Sequence, residues 1–331
     1  MYFDKVLKIN GIRAIVFSIC YAMCAFQCAY IPYLLTFSDA VFMLPLILLL
    51  VTNFADNGKI RLMSLAYLYL FLNFYYPAYT IGFFSFFYLI VYMVFVKKYT
   101  MKTIISKLLI FGVSIVFTAG ITAIVLYPTA LFLMTKYADD ATTIENIIGG
   151  NVLDIYNQLF MGENMSLFNR YPYVYCGLPV MFLLPAYIFS KKIDIESKIL
   201  YLSMLVLMVI SCTILPLYLF WHCFDAPDGF YYRFTYIISF LLCVIGCKAS
   251  ERIHEIKYRF WAILILINLA IYVICMYVQP NNQMVYQSYS KSTWMFFGIN
   301  AAYMLIYFGW LIIYNKKASD EKNKKALSLL F

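Results

Sequence analysis

Between Trp221 and Phe234 the chain reads Trp-His-Cys-Phe-Asp-Ala-Pro-Asp-Gly-Phe-Tyr-Tyr-Arg-Phe, which sets one of the two histidines (His222), Asp225, Asp228 and Arg233 among aromatic rings. Side chains of these types bind anions and move protons. Pro227 and Gly229 argue against a continuous helix, and apolar runs flank the stretch on both sides. Irregular polar backbone beside a bilayer persists only where protein or a water-filled cavity covers it. The stretch is therefore the first candidate site. Asp39, one residue ahead of another apolar run, either caps helix N–H groups or faces a cavity. Asn73 lies within membrane depth and needs a partner, which is either another helix or a substrate. The Tyr171–Gly177 segment alternates aromatic rings, which stack on sugars or anchor the membrane interface.

The elements that must position these residues are apolar helices. Hydrophobic residues make up 64% of the 331 positions and charged ones 12%, against roughly 45–50% and about 25% in a soluble domain. The expected fold is an all-α, polytopic transmembrane bundle of about ten spans, near 12–34, 40–53, 61–76, 78–96, 108–133, 174–190, 199–219, 233–247, 260–278 and 293–314. Continuous runs without period-2 alternation argue against a β-barrel. With the N-terminus inside, all of the 25 basic residues except Lys136, Arg170, Arg233 and Lys291 fall on inner segments. That bias places both termini in the cytoplasm. The charge of +9 then faces anionic lipid, so nucleic acid is excluded as a partner.

Residues 1–314 read as one transmembrane domain, with an outer loop near 134–173 and an outer polar stretch at 220–233. Residues 315–331 form a basic cytoplasmic tail. Within the outer loop, 152–160 is weakly amphipathic and suits the membrane surface. His254 falls on a solvated inner loop. Cys20, Cys24 and Cys28 share one helix face, which suits a close helix contact better than a metal. A Cys176–Cys223 disulfide is conceivable, and no zinc spacing occurs. The sequence calls for no cofactor, although it does not rule out a divalent metal.

Several local patterns together resemble one family. They are Ser38-Asp39-Ala40 with Leu44-Pro45-Leu46, Asn73-Phe74-Tyr75, Gly120-Ile121-Thr122-Ala123 with Leu126-Tyr127-Pro128-Thr129, Val174-Tyr175-Cys176-Gly177-Leu178, and Trp221-His222 with Gly229-Phe230-Tyr231-Tyr232-Arg233-Phe234. In this order, from about residue 8 to 250, the chain resembles the YfhO family of bacterial membrane proteins. The resemblance implies a GT-C-like core in the plasma membrane. It also implies a glycosyltransferase that decorates cell-envelope polymers such as lipoteichoic acid, using polyprenyl-phosphate sugars and a glycolipid acceptor at the outer face. Family members are usually longer, with further N-terminal spans, an acidic outer loop and a large C-terminal extension. The chain is then expected to be either a short divergent member or one piece of a split enzyme with a separate N-terminal polypeptide.

That chemistry assigns roles. Arg233 would hold the donor phosphate, helped by His222. Asp39, Asp225 and Asp228 are candidates for the base that takes the acceptor proton. Trp221, Tyr232, Asn73, Tyr75, Tyr173 and Tyr175 would line the substrate. Each has a structural alternative: an ion pair between Arg233 and Asp225 or Asp228, a hydrogen bond from His222, an interhelical bond from Asn73. Competing functions are a transporter or flippase of a lipid-linked glycan and a non-catalytic accessory protein. Charges gathered at the outer edge and unmatched halves weigh against transport.

Overall fold

The computed structural model describes residues 1–137, 152–161, 171–224, 227, 229–253, 258–278 and 292–318. The described residues are helical and contain no strand. Asp225, Asp228, His254 and most of both the 134–173 loop and the 315–331 tail lie outside them.

Contacts divide the chain into two compact units. The first comprises Met1–Leu7, Tyr30–Ile148 and Ile195–Asp228. Its helices are α1 (Tyr2–Lys5), α4 (Thr36–Asn57), α5 (Arg61–Asn73), α6 (Tyr75–Val91), α7 (Met101–Ile121), α8 (Ala123–Tyr137), α11 (Ile195–Ser211) and α12 (Leu215–Trp221). The second comprises Lys8–Ala29, Gly149–Asp194 and Gly229–Phe331. It holds α2 (Ile12–Ala22), most of α3 (Ala25–Tyr30), α9 (Val152–Asn157), α10 (Leu178–Phe189), α13 (Tyr236–Ser250), α14 (Tyr258–Val278) and α15 (Ser292–Ala318).

Five helices among the described residues are long and apolar enough to cross a membrane: Ile12–Tyr30, Thr36–Asn57, Tyr75–Val96, Met101–Ile121 and Met295–Ile313. α11 and α12 pass the same test only as a pair, bent by 103°. Pro216 has no N–H to continue the ladder, and it sits where the second helix starts. Other apolar helices are shorter: α5 has 13 residues, which at 1.5 Å each is about 20 Å against ~30 Å of hydrocarbon. On α7, Leu109, Val113, Val116 and Phe117 form one exposed apolar stripe. Such a stripe suits lipid.

In the first unit α4 is the core element, packed on α1, α5 and α6. Leu44, Ile47, Leu48, Val51 and Ala55 are fully buried along it. The helix ends where Gly58 enters the left-handed region (φ 68°) and returns its N–H to Phe54. Near that end, Tyr2 from α1 joins the Tyr88 and Tyr201 hydroxyls at 3.2 and 3.0 Å. Lys97 pairs with Asp56 at 2.9 Å, and Lys98 with Glu196 at 2.9 Å.

In the second unit α13 takes the central place, packed on α10 and α2, and all its residues but Lys248 are buried. It meets α2 tightly at Gly246, where an added Cβ would stand 2.7 Å from Phe17 Cε1. Small residues allow this kind of approach in membranes. Gly246→Val is expected to cost about 1–3 kcal/mol through overpacking, read as a lowered thermal midpoint in detergent. The first span is interrupted at Met23–Cys24, so the three early cysteines do not form one stripe: Cys24 is buried and Cys28 exposed. No disulfide joins Cys176 and Cys223. No group of metal-ligating side chains occurs among the described residues.

The segment 152–161 does not lie on a surface. Ile155, Asn157, Gln158 and Phe160 are buried, and Phe160 stacks on Tyr272 of α14 with centroids 4.0 Å apart. Asn300 of α15 accepts the Met161 N–H at 3.0 Å and donates to the Met161 carbonyl at 2.9 Å. Tyr156 is hydrogen-bonded to Asn268. Buried amides on α14 and α15 thus satisfy the turn after α9, as buried backbone requires.

Candidate functional site

One end of the first unit gathers the start of α4, the end of α5, the start of α6 and the end of α12. Asp39 sits in the first turn of α4 but does not cap it; Leu35 is the N-cap residue and offers no side-chain bond. The partner of Asp39 is across the helix pair. Asn73, the last residue of α5, donates from Nδ2 to its Oδ2. Tyr69, one turn earlier on α5, lies beside Asp39. The interhelical bond expected of Asn73 is therefore present, and it orients the carboxylate.

Below this pair the two helices leave an open groove of about 380 Å³. Phe42, Met43, Leu46 and Leu50 line it from α4, and Leu62, Leu65, Ala66 and Tyr69 from α5. Asp39 leads the first series at helical spacing and Asn73 heads the second, so each polar residue shares a face with its apolar row. The groove presents hydrocarbon for its length and a carboxylate, an amide and a phenol at its head.

Behind the pair stands a packed aromatic cluster. Phe74 adopts extended backbone between α5 and α6. Its ring lies 5.4 Å from Phe37 and 5.7 Å from Tyr75. Tyr76 meets Phe37 at 6.1 Å and the His222 ring at 6.2 Å. The Tyr76 hydroxyl donates to the Trp221 carbonyl at 3.0 Å, and the Tyr79 hydroxyl to the Phe220 carbonyl at 2.7 Å. Those carbonyls lie in the last turn of α12, where the regular i+4 backbone donors are missing. Tyrosines of α6 satisfy them and so fix the end of α12 against the 73–77 turn. Trp221 and His222 are both buried there. His222 Nδ1 lies 2.9 Å from the Tyr218 carbonyl, which makes Nδ1 the protonated nitrogen. The first unit thus brings together Asp39, Asn73, Tyr75, Trp221 and His222.

The remaining described candidates belong to the second unit. After α12 the chain is irregular, with Cys223 (φ 59°), Phe224 (φ 62°), Phe230 (φ 52°) and Tyr232 (φ 58°) in the left-handed region. Arg233 braces the later part of this stretch: Nε donates to the Phe230 carbonyl at 3.0 Å and Nη2 to the Gly229 carbonyl at 3.3 Å. Tyr232 is buried and Arg233 half-buried. Tyr173 is buried and Tyr175 half-buried just before α10, where the Tyr175 carbonyl accepts the Ala25 N–H at 2.8 Å. The Val174 carbonyl accepts from Ser239 at 3.3 Å. Asp225 and Asp228, the proposed ion-pair partners of Arg233, are outside the described residues.

A sequence profile described as "Bacterial membrane protein YfhO" matches residues 1–330. The chain belongs to this family. The match extends the YfhO resemblance well beyond residue 250, across α14 and α15. No curated protein and no solved structure matched the chain. Within the YfhO chain, sequence reasoning missed Tyr69 and the groove beneath it. The signal was present as the four-residue step from Asn73 back to Tyr69 and the heptad-like apolar row after Asp39.

Proposed function

We propose that this YfhO protein is the GT-C-like core of a glycosyltransferase in a bacterial plasma membrane, with its termini cytoplasmic and its site at the outer face. Its substrates are a polyprenyl-phosphate-linked sugar and a glycolipid acceptor. The observation that carries the reading is the Asp39–Asn73–Tyr69 cluster at the head of an apolar groove. A lipid-borne substrate needs that combination, a channel for its chain and polar groups where the chain ends.

Asp39 takes the acceptor hydroxyl proton while the acceptor oxygen bonds to the anomeric carbon. The bond from that carbon to the phosphate oxygen breaks, and polyprenyl phosphate leaves with the electron pair. Asn73 holds the carboxylate in place beside Tyr69, the Tyr75 side chain serves as the sugar-facing wall, and buried Trp221 and His222 back that wall. Arg233 is proposed as a phosphate ligand, with Tyr232, Tyr173 and Tyr175 as its aromatic surroundings. Arg233→Lys is expected to weaken donor binding by about tenfold, because an ammonium supplies neither the bidentate fork nor the brace on residues 229 and 230. Unchanged binding in a filter or thermophoresis titration removes that role.

The test of the whole reading is transfer in proteoliposomes loaded with a polyprenyl-phosphate sugar and a glycolipid acceptor. Product formed by the chain, or by the chain with a separately expressed N-terminal polypeptide, supports it. No product in either case, together with unchanged envelope glycans on deletion, overturns it. A flippase for a lipid-linked glycan is the second reading, favoured by the 103° break between α11 and α12, since transporters use discontinuous helices. Movement of labelled lipid-linked sugar across the bilayer without transfer would select it.

A further inference from the structure

The second unit contains a cavity of about 440 Å³, within the roughly 300–1,000 Å³ of ligand pockets. It is almost wholly apolar, lined among others by Phe17, Leu183, Trp261 and Trp310, yet Arg13 forms part of its wall. The cavity lies toward the end of the unit where Arg13 meets Glu251 at 3.9 Å and Lys248 meets Asp194 at 3.7 Å. The Arg13 pair is long, and its glutamate is 37% exposed, so it holds the guanidinium weakly. The Arg13 side chain is only 16% exposed, and its buried Nε has no acceptor among the described residues. Trp261 is 1% exposed, and its indole N–H has no acceptor among the described residues either.

A cationic donor and a second unsatisfied donor beside an aromatic cavity define a ligand with a long apolar part and an anionic, oxygen-rich head. We propose that the cavity holds an acyl chain of an anionic phospholipid from the adjacent leaflet, with its phosphate accepting hydrogen bonds from Arg13. Basic pockets between transmembrane helices bind anionic head groups in this way. The Trp261 N–H supplies a donor for a phosphate or ester oxygen, as indoles do at membrane interfaces. Buried donors left unpaired are costly, so the lipid acts as a structural component of the unit. The inference stands apart from the transferase reading, since none of the residues proposed for transfer lines this cavity.

The test is native mass spectrometry and thermal melting of the delipidated full chain, titrated with phosphatidylglycerol, with phosphatidylcholine of the same chains and with polyprenyl phosphate. Phosphatidylglycerol is expected to bind at least about tenfold tighter than phosphatidylcholine, because its head group is net anionic beside Arg13, whereas the choline ammonium of phosphatidylcholine neutralises its phosphate and is repelled by the guanidinium. Arg13→Gln should abolish that preference, while Arg252→Gln retains it. Leu183→Trp fills the cavity and should weaken both phospholipids by a similar factor. If Arg13→Gln fails to fold, the wild type and Leu183→Trp decide between the outcomes. Equal binding of the two phospholipids, a preference that survives Arg13→Gln, or binding untouched by Leu183→Trp overturns the proposal. So does displacement of phosphatidylglycerol by a tenfold lower concentration of polyprenyl phosphate, which would make the cavity a substrate site.

Discussion

Asp39→Asn is expected to lower glycosyl transfer by at least ~100-fold, the lower bound for a positioned acid–base group, with little change in folding. The substitution keeps the shape of the side chain and removes the group that takes the proton. Asn73 donates to the carboxylate in the wild type, and an amide oxygen at the same position accepts that bond equally well. A cap role would predict a different pattern, because losing a helix cap costs about 1 kcal/mol of stability and has no chemical consequence. The structure argues against it already, since the N-cap of α4 is Leu35. The measurement is initial rate in proteoliposomes beside the thermal midpoint of the same preparation. A rate within threefold of wild type would remove Asp39 as the base.

The second large effect concerns stability. Asn300→Leu is expected to release the turn after α9, because it leaves both the Met161 N–H and the Met161 carbonyl without their partner. Each buried unpaired group costs about 1–3 kcal/mol, and in lipid no water replaces the lost bond. Leucine is close to asparagine in size, so packing changes contribute little. Hydrogen exchange should rise sharply over 152–161, and exchange in α13 should hold, since among the described residues the Asn300 side chain bonds to Met161, Tyr272 and its own helix. Unchanged protection of 152–161 would show that the Phe160–Tyr272 stack alone holds the turn.

The sequence disclosed local arrangements well and distant ones poorly. Asp39 and Asn73 were both legible as polar residues at apolar helix ends, and their pairing follows because a short connection, Gly58–Ile60, makes α4 and α5 antiparallel neighbours. The interrupted backbone after Trp221 was legible from Pro227 and Gly229, and four non-glycine left-handed residues now mark it. The docking of α9 was not legible. Its weak amphipathic pattern suits a surface equally well, and the deciding partner, Asn300, is 139 residues away. Span lengths were also misjudged where proline and glycine divide apolar runs: 199–219 is two helices broken before Pro216, and 174–190 contains a helix of 12 residues between Gly177 and Ser190. Hydropathy averages over such breaks, whereas the backbone does not.

The alternation of the chain between its two units has a consequence for biogenesis. Neither unit is encoded as a continuous segment, since the first is interrupted by Lys8–Ala29 and again by Gly149–Asp194. The hydroxyl of Tyr2 is completed by Tyr201, so the earliest helix of the first unit must wait for one of that unit's last two. Domains that emerge whole fold in order of synthesis. This protein instead holds two half-built bundles in the bilayer at once, and each is finished only when the ribosome has passed most of the message. Cutting the gene between the units would therefore yield no folded half.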